Sequence, residues 1–307
     1  MRRRLLLPAF LAGAGALCFE VVWARQMTIE AGGPLASFTI TVGMFMLGLA
    51  LGGAWFGRVA DRTAFPLRLF GILQCAASAV IFTGAALIAS GGAVRPLLLW
   101  LGPTPASLPF YLLEVTVGGG LACLAAMAMG GTLPLLVKSS ASADAEMRSV
   151  GPIAACNAAG AAAGSLACGF ILLPGLGVTR SLLATGVATL VNGACVVLLR
   201  TPEPASSRPG AGCPPRFATR IHDATSHRAA ILLALFLGGL AATSLEIVWT
   251  RLAFLSFGSS VQAGSLVLSA VIAGLALGNG LGARLGQRAA EPIQGLALLA
   301  VGAGLSI

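Results

Sequence analysis

The sequence predicts an all-α, polytopic transmembrane bundle of about eight or nine helices. Three observations carry that reading. Of the 307 residues, 57% are hydrophobic and only 9% charged, and the mean hydropathy of +0.93 lies far outside the range of soluble domains. Apolar stretches of about 20 residues recur along the whole chain, each long enough to cross the hydrocarbon core of a bilayer as a helix. Strand-like alternation is nowhere sustained, which argues against a β-barrel, and in lipid a helix satisfies its own backbone hydrogen bonds. The same composition leaves too little polar sequence for a soluble catalytic domain.

Reading apolar runs between charged or Pro-rich breaks gives helices near 5–24, 36–57, 67–90, 109–137, 150–173, 178–199, 229–250, 261–283 and 293–307. The first begins like a cleaved signal peptide, with a basic start and an apolar run. Glu20, Trp23 and Arg25 continue it and its pattern returns later, so a retained helix is expected. Gly48 with Gly52, and Gly160 with Gly164, are small-residue faces that let helices approach closely. Gly118-Gly119-Gly120 belongs to the same class: no strand precedes it, so it is not a nucleotide-binding loop. The last segment stops inside an apolar run at Ile307, and a fragment of a longer protein is expected.

Nineteen basic against 10 acidic residues give a net charge of +9, a surplus that would suggest nucleic acid in a soluble chain. Its distribution gives another explanation. With the amino terminus in the cytoplasm, Arg2, Arg3, Arg4, Arg58, Arg62, Arg68, Lys138, Arg148, Arg200, Arg208, Arg216, Arg220, Arg228, Arg284 and Arg288 fall inside, and only Arg25, Arg95, Arg180 and Arg251 outside. This is the positive-inside pattern of a multi-pass inner-membrane protein. No nucleic-acid partner is implied; the lipid bilayer is. Six of the seven cysteines lie in apolar segments and read as small buried hydrophobes. Cys213 sits in a loop with His222, Asp223 and His227, without metal-ligand spacing, so no metal, cofactor or catalytic group is expected there.

The most informative feature is a gapless self-match at an offset of 226 residues. FLAGAGALCFEVVWAR from Phe10 aligns with FLGGLAATSLEIVWTR from Phe236, and the register persists through GLALG at Gly48 and Gly274, Arg58 and Arg284, Arg62 and Arg288, and Pro66 and Pro292. Six helices separate the copies, so both enter the membrane in the same direction, as in the parallel repeat of major-facilitator-type transporters. The chain therefore divides into a first six-helix half at 1–199, a Pro-, Ser- and Arg-rich cytoplasmic linker at 200–228, and the start of a repeated second half at 229–307.

The E-V-V-W-A-R and E-I-V-W-T-R ends, G-L-A-L-G followed by G-R-V-A-D-R, and NAAGAAAGSLACGFILLPGLG from Asn157 together resemble the membrane region of spermidine synthase-like, major-facilitator-fused bacterial proteins. The resemblance spans nearly the whole chain. It implies a membrane module to which an aminopropyltransferase-like domain is often joined, although no such catalytic domain is visible here.

Ionisable groups at membrane depth are the default functional candidates, since burying them is costly unless they are paired. Glu20 and Glu246 occupy equivalent places near the outer ends of their helices, each followed by Trp23 or Trp249 and by Arg25 or Arg251. Five residues place Glu20 and Arg25 about 140° apart on one helix, and pairing across the repeats, Glu20 with Arg251 and Glu246 with Arg25, would neutralise both carboxylates if the two helices meet at the pseudo-two-fold axis. These residues then either clamp the repeats together or bind substrate or a coupling proton. Glu114 and Asn157 are further candidates, Asn157 more naturally as an interhelical hydrogen-bond donor. Arg58, Asp61 and Arg62 resemble the gating loop of major-facilitator transporters; Gln287 replaces the aspartate in the second copy.

The expected function is that of a transporter-like module handling a polyamine or another small, cationic, amine-bearing solute. Two alternatives stand beside it. One is a structural subunit or anchor that recruits an enzyme or partner membrane subunits, and the other is the membrane part of an aminopropyltransferase whose cytoplasmic synthase-like domain lies elsewhere.

Overall fold

The computed structural model describes residues 2–31, 34–91, 100, 102, 107–139, 143–198, 225–258 and 260–286. Every regular element among them is helical. In chain order these are α1 (Arg2–Ala31), α2 (Pro34–Arg62) and α3 (Pro66–Ala89). A fourth span follows, built from α4 (Leu108–Leu113), a π-helix (Glu114–Gly119), α5 (Gly120–Gly130) and α6 (Thr132–Lys138). Then come α7 (Ala143–Ala167), a second π-helix (Cys168–Leu172), α8 (Leu173–Leu198), α9 (Thr225–Phe257) and α10 (Val261–Gly286). The helix at α9 begins at Thr225, inside the stretch read as a linker. The rest of that stretch, with Cys213, His222 and Asp223, and the ninth segment at 293–307 lie outside the described residues.

Seven of the helices are long and apolar enough to cross a membrane. One of these, Val150–Leu198, is 49 residues long, about 74 Å at the helical rise, or more than twice the hydrocarbon thickness. It is broken at Gly177, where φ is +73°, a left-handed conformation that glycine adopts without a Cβ clash. The same freedom serves Gly258 (φ +78°) in the turn from α9 to α10. There the Ser260 hydroxyl accepts the Ala263 N–H at 3.1 Å and starts α10.

Four helix pairs make the most extensive contacts, α1 with α7, α3 with α8, α7 with α10 and α2 with α5, and three of them, α1 with α7, α2 with α5 and α3 with α8, are glycine-lined. Each of these three meets through glycines that leave no room for a side chain. A Cβ at Gly13 would strike the Asn157 carbonyl, one at Gly160 the Phe10 carbonyl, and one at Gly164 the Ala14 carbonyl. Between α2 and α5, Gly48 faces the Cys123 carbonyl, Gly52 that of Met127, and Gly130 that of Leu49. Gly71 and Gly193 face each other across α3 and α8. Both G-x-x-x-G faces read from the sequence are thus contact faces. Backbones this close also accept weak thiol donors: Cys18 Sγ donates to the Gly164 carbonyl at 3.1 Å and Cys156 Sγ to that of Leu6 at 3.2 Å. Cys18 and Cys168 are buried as expected, whereas Cys75, Cys123 and Cys156 are only half-buried and Cys195 is exposed on the outer face.

These contacts fix helix directions. Numbers rise together along α1 and α7, so the pair is parallel. The helix α10 runs against α7, since Ser269 Oγ donates to the Ala162 carbonyl and Ser165 Oγ to that of Ser265, each at 3.3 Å. Because α9 folds back on α10 through the Gly258 turn, with Phe254 approaching Gly264, α9 runs in the same sense as α1. The two copies of the sequence repeat therefore point the same way. Their surroundings differ, however: α1 is central and mostly buried, whereas α9 is peripheral and largely exposed.

Outward-facing Leu51, Trp55, Ile72, Phe170, Ile171 and Val191 give the bundle an apolar exterior suited to a lipid bilayer, because in water a surface of this kind would be an aggregation liability. Charged side chains sit at the two ends of the bundle. Arg58, Asp61, Arg62, Arg68 and Lys138 occupy the end that carries the amino terminus, and Arg25, Arg180 and Arg251 the other.

Candidate functional site

A part-open cavity of about 50 Å³ lies between the first copy of the repeat and the second. From α1 it takes Glu20, Ala24, Arg25 and Thr28; Phe38 of α2 and Phe254 of α9 meet edge to face across it at 6.1 Å. Ser265 and Leu268 of α10 close the far wall. The site thus depends on both copies, although neither was expected to contribute phenylalanines or serines.

Glu20 is only 1% exposed, and neither of its oxygens has a hydrogen-bond partner among the described residues. Glu246 is 5% exposed, with Oε1 unpartnered; it lies near enough for its carboxylate to bear on Glu20 but is not itself part of the cavity lining. The cross-repeat ion pairs expected from the sequence are not formed: no ion pair joins Glu20 to Arg251 or Glu246 to Arg25 among the described residues. The reason is geometric. Arg251 lies on the exposed side of α9, and Arg25, although it lines the same cavity as Glu20, pairs with neither carboxylate among the described residues. Two like-charged carboxylates in a poorly hydrated place repel each other and are both desolvated. A positive charge brought beside the Glu20 carboxylate would offset part of that cost. The unpartnered Ser265 hydroxyl offers a further polar contact in the wall.

The two tryptophans do different work. Trp23 is fully buried, stacks on Phe19 at 5.7 Å and donates its indole N–H to the Gly118 carbonyl at 2.8 Å, tying α1 to the π-helix of the fourth span. Trp249, its sequence equivalent, is 54% exposed. Neither lines the cavity.

Glu114 opens the π-helix, buried and unpartnered, away from the cavity. Asn157 is half-buried, and its side chain bonds no other helix among the described residues. The expected amide link is made instead by Asn192, whose Nδ2–H donates to the Pro8 carbonyl at 3.2 Å. Of the loop residues, Asp61 approaches Lys138 at 3.8 Å, joining the ends of α2 and α6. Arg58 turns back to the Ala54 carbonyl at 3.1 Å, and Arg62 is exposed. An ion pair this exposed contributes at most about 1 kcal/mol.

No protein-family model, no curated protein and no solved structure matches this chain.

Proposed function

We propose that the chain is a transporter-like module of the bacterial inner membrane that draws the ammonium group of a small amine-bearing solute into the cavity between its two E-x-x-W-x-R copies. The observation that carries this reading is the Glu20 carboxylate, buried beside Glu246 in the wall of a cavity and without a partner of its own. A buried ionisable group inside a membrane bundle marks a functional site by default. A part-open cavity of about 50 Å³ has room for an ammonium head together with a few waters. Arg25 on the same wall repels a second ammonium, so a solute with one amine and a polar or anionic tail fits better than a fully charged polyamine.

Two features support a major-facilitator-like architecture, in which solute sites sit near the midplane at repeat interfaces. The break at Gly177 divides the 49-residue stretch in two, which on this reading makes eight crossings among the described residues, six of them before the second copy. Within those six, the pairing of the first crossing with the fifth, the second with the fourth and the third with the sixth is unchanged when the first three are exchanged for the last three. The close contacts obey the same exchange: Gly48 and Gly52 of the second crossing, set against Cys123 and Met127 of the fourth, correspond to Gly160 and Gly164 of the fifth, set against Phe10 and Ala14 of the first. Such nested inverted repeats are a property of major-facilitator halves. Arginine placement favours an amino terminus in the cytoplasm.

Uptake of labelled amines into proteoliposomes, together with solute-dependent thermal stabilisation in detergent, tests the proposal. Glu20→Gln is expected to abolish both for an amine that the wild type accepts. Uptake undiminished by Glu20→Gln would overturn the site. A wild type that takes up no amine, cationic or zwitterionic, would overturn the transport reading in favour of an anchoring subunit.

A further inference from the structure

Away from the Glu20 cavity, the interface between α2 and the fourth span holds a second set of buried oxygens without partners. Glu114 is 1% exposed, Ser37 0% and Thr41 1%. Neither oxygen of Glu114, the Ser37 hydroxyl nor the Thr41 hydroxyl makes a hydrogen bond among the described residues. The Ser37 hydroxyl lies beside the Glu114 carboxylate, yet the two do not reach the geometry of a completed bond. Thr41 follows Ser37 by four residues on α2, which places it one turn on along the same face.

The backbone here is also irregular. Glu114 is the first residue of the π-helix that ends at Gly119, and single π-turns inside longer helices recur at functional sites. This one is held from two sides. The Trp23 indole donates to the Gly118 carbonyl at 2.8 Å, and Met27 and Met44 pack where side chains at Gly118 and Gly119 would otherwise stand.

A carboxylate and two hydroxyls, all oxygen, match the ligand preference of hard cations. No group of three or more His, Cys, Asp or Glu that would suit a transition metal occurs among the described residues. With one carboxylate, a single positive charge gives neutrality. A proton would neutralise Glu114 but would engage at most one hydroxyl, whereas a small cation beside Glu114 and Ser37 would also draw on the Thr41 hydroxyl, one turn along the same face. We infer that Glu114, Ser37 and Thr41 form a binding site for a monovalent hard cation of the size of Na⁺, separate from the cavity at Glu20.

The test uses the purified, detergent-solubilised wild type, melted across a series of NaCl concentrations balanced with choline chloride to constant ionic strength, and repeated with KCl. A saturable rise in Tm specific to Na⁺ is expected. It should vanish in Glu114→Gln, and in Ser37→Ala its midpoint should move to at least tenfold higher Na⁺ with the melting in choline little changed. Glu20→Gln should retain the wild-type response, which separates this site from the solute cavity whatever the fate of the transport reading. The absence of a Na⁺-specific shift in the wild type, or a response to pH alone, would overturn the inference. So would a Na⁺ midpoint unmoved by Ser37→Ala, which decides the matter if Glu114→Gln fails to fold.

Discussion

The repeat supplies its own control for the packing of the bundle. Gly52 on α2 and Gly278 on α10 are equivalent in the 226-residue register, but a Cβ at Gly52 would strike the Met127 carbonyl and backbone, whereas one at Gly278 would meet nothing within 4 Å. Replacing a helical glycine by alanine gains up to about 1 kcal/mol from backbone entropy and propensity. At Gly278 that gain stands alone, so Gly278→Ala should be neutral or stabilising by about 0.5–1 kcal/mol. At Gly52 the new methyl meets main-chain atoms that cannot rotate aside, and α2 must move away from α5. Overpacking of this kind costs about 1–3 kcal/mol. The separation also weakens the neighbouring contacts at Gly48 and Gly130, so Gly52→Ala should be net destabilising by about 1–2 kcal/mol. Thermal melts in one detergent, with SDS titration as a second probe, would measure both. Equal losses at the two positions would refute the reasoning, because they would mean that the Gly278 face is as closely packed as the Gly52 face.

Trp23→Phe should cost about 1 kcal/mol or more, through the lost indole hydrogen bond and the stranded Gly118 carbonyl, whereas Trp249→Phe should leave the melting temperature unchanged; the reverse ranking would contradict the burial of the two rings. Without cross-repeat ion pairs, Glu20→Gln should not destabilise the solute-free protein, and Glu20→Gln with Arg251→Gln should be additive within about 0.5 kcal/mol. A coupling above about 1 kcal/mol in that cycle would restore the clamp. For the topology, a cysteine placed at Ser207 in a Cys-depleted background should react with a membrane-impermeant reagent only after the cell is opened.

Helix positions were legible because the signal is long and local: each apolar run needs only its own residues to declare itself. So were the contact faces, since glycines spaced four apart on an apolar helix have few other uses. The interruptions were less legible. Neither π-helix has a sequence marker beyond glycines that an α-helix also tolerates, whereas the Pro174–Gly177 stretch did mark the break that Gly177 makes, between the segments read at 150–173 and 178–199. Asn192 escaped notice because a lone amide in an apolar run gives no hint of a proline carbonyl 184 residues away.

The candidate site shows where a repeat misleads. Equal sequence at Glu20 and Glu246, and at Arg25 and Arg251, invites the inference of equal and reciprocal partners. Reciprocity, though, requires each copy to present the same face to the other. Here α1 is packed on several sides by α7, α8 and α2, while α9 touches the bundle along one strip. A helix held along one strip can bury residues spaced by three, four or seven positions, and not one displaced by five. Glu246 and Thr250, four apart, are buried on that strip, and Val248, Trp249 and Arg251 are turned outward. The carboxylates are therefore buried without an ion pair to the arginines that the sequence offered them, and on the proposed reading that unneutralised charge is what a cationic head would offset.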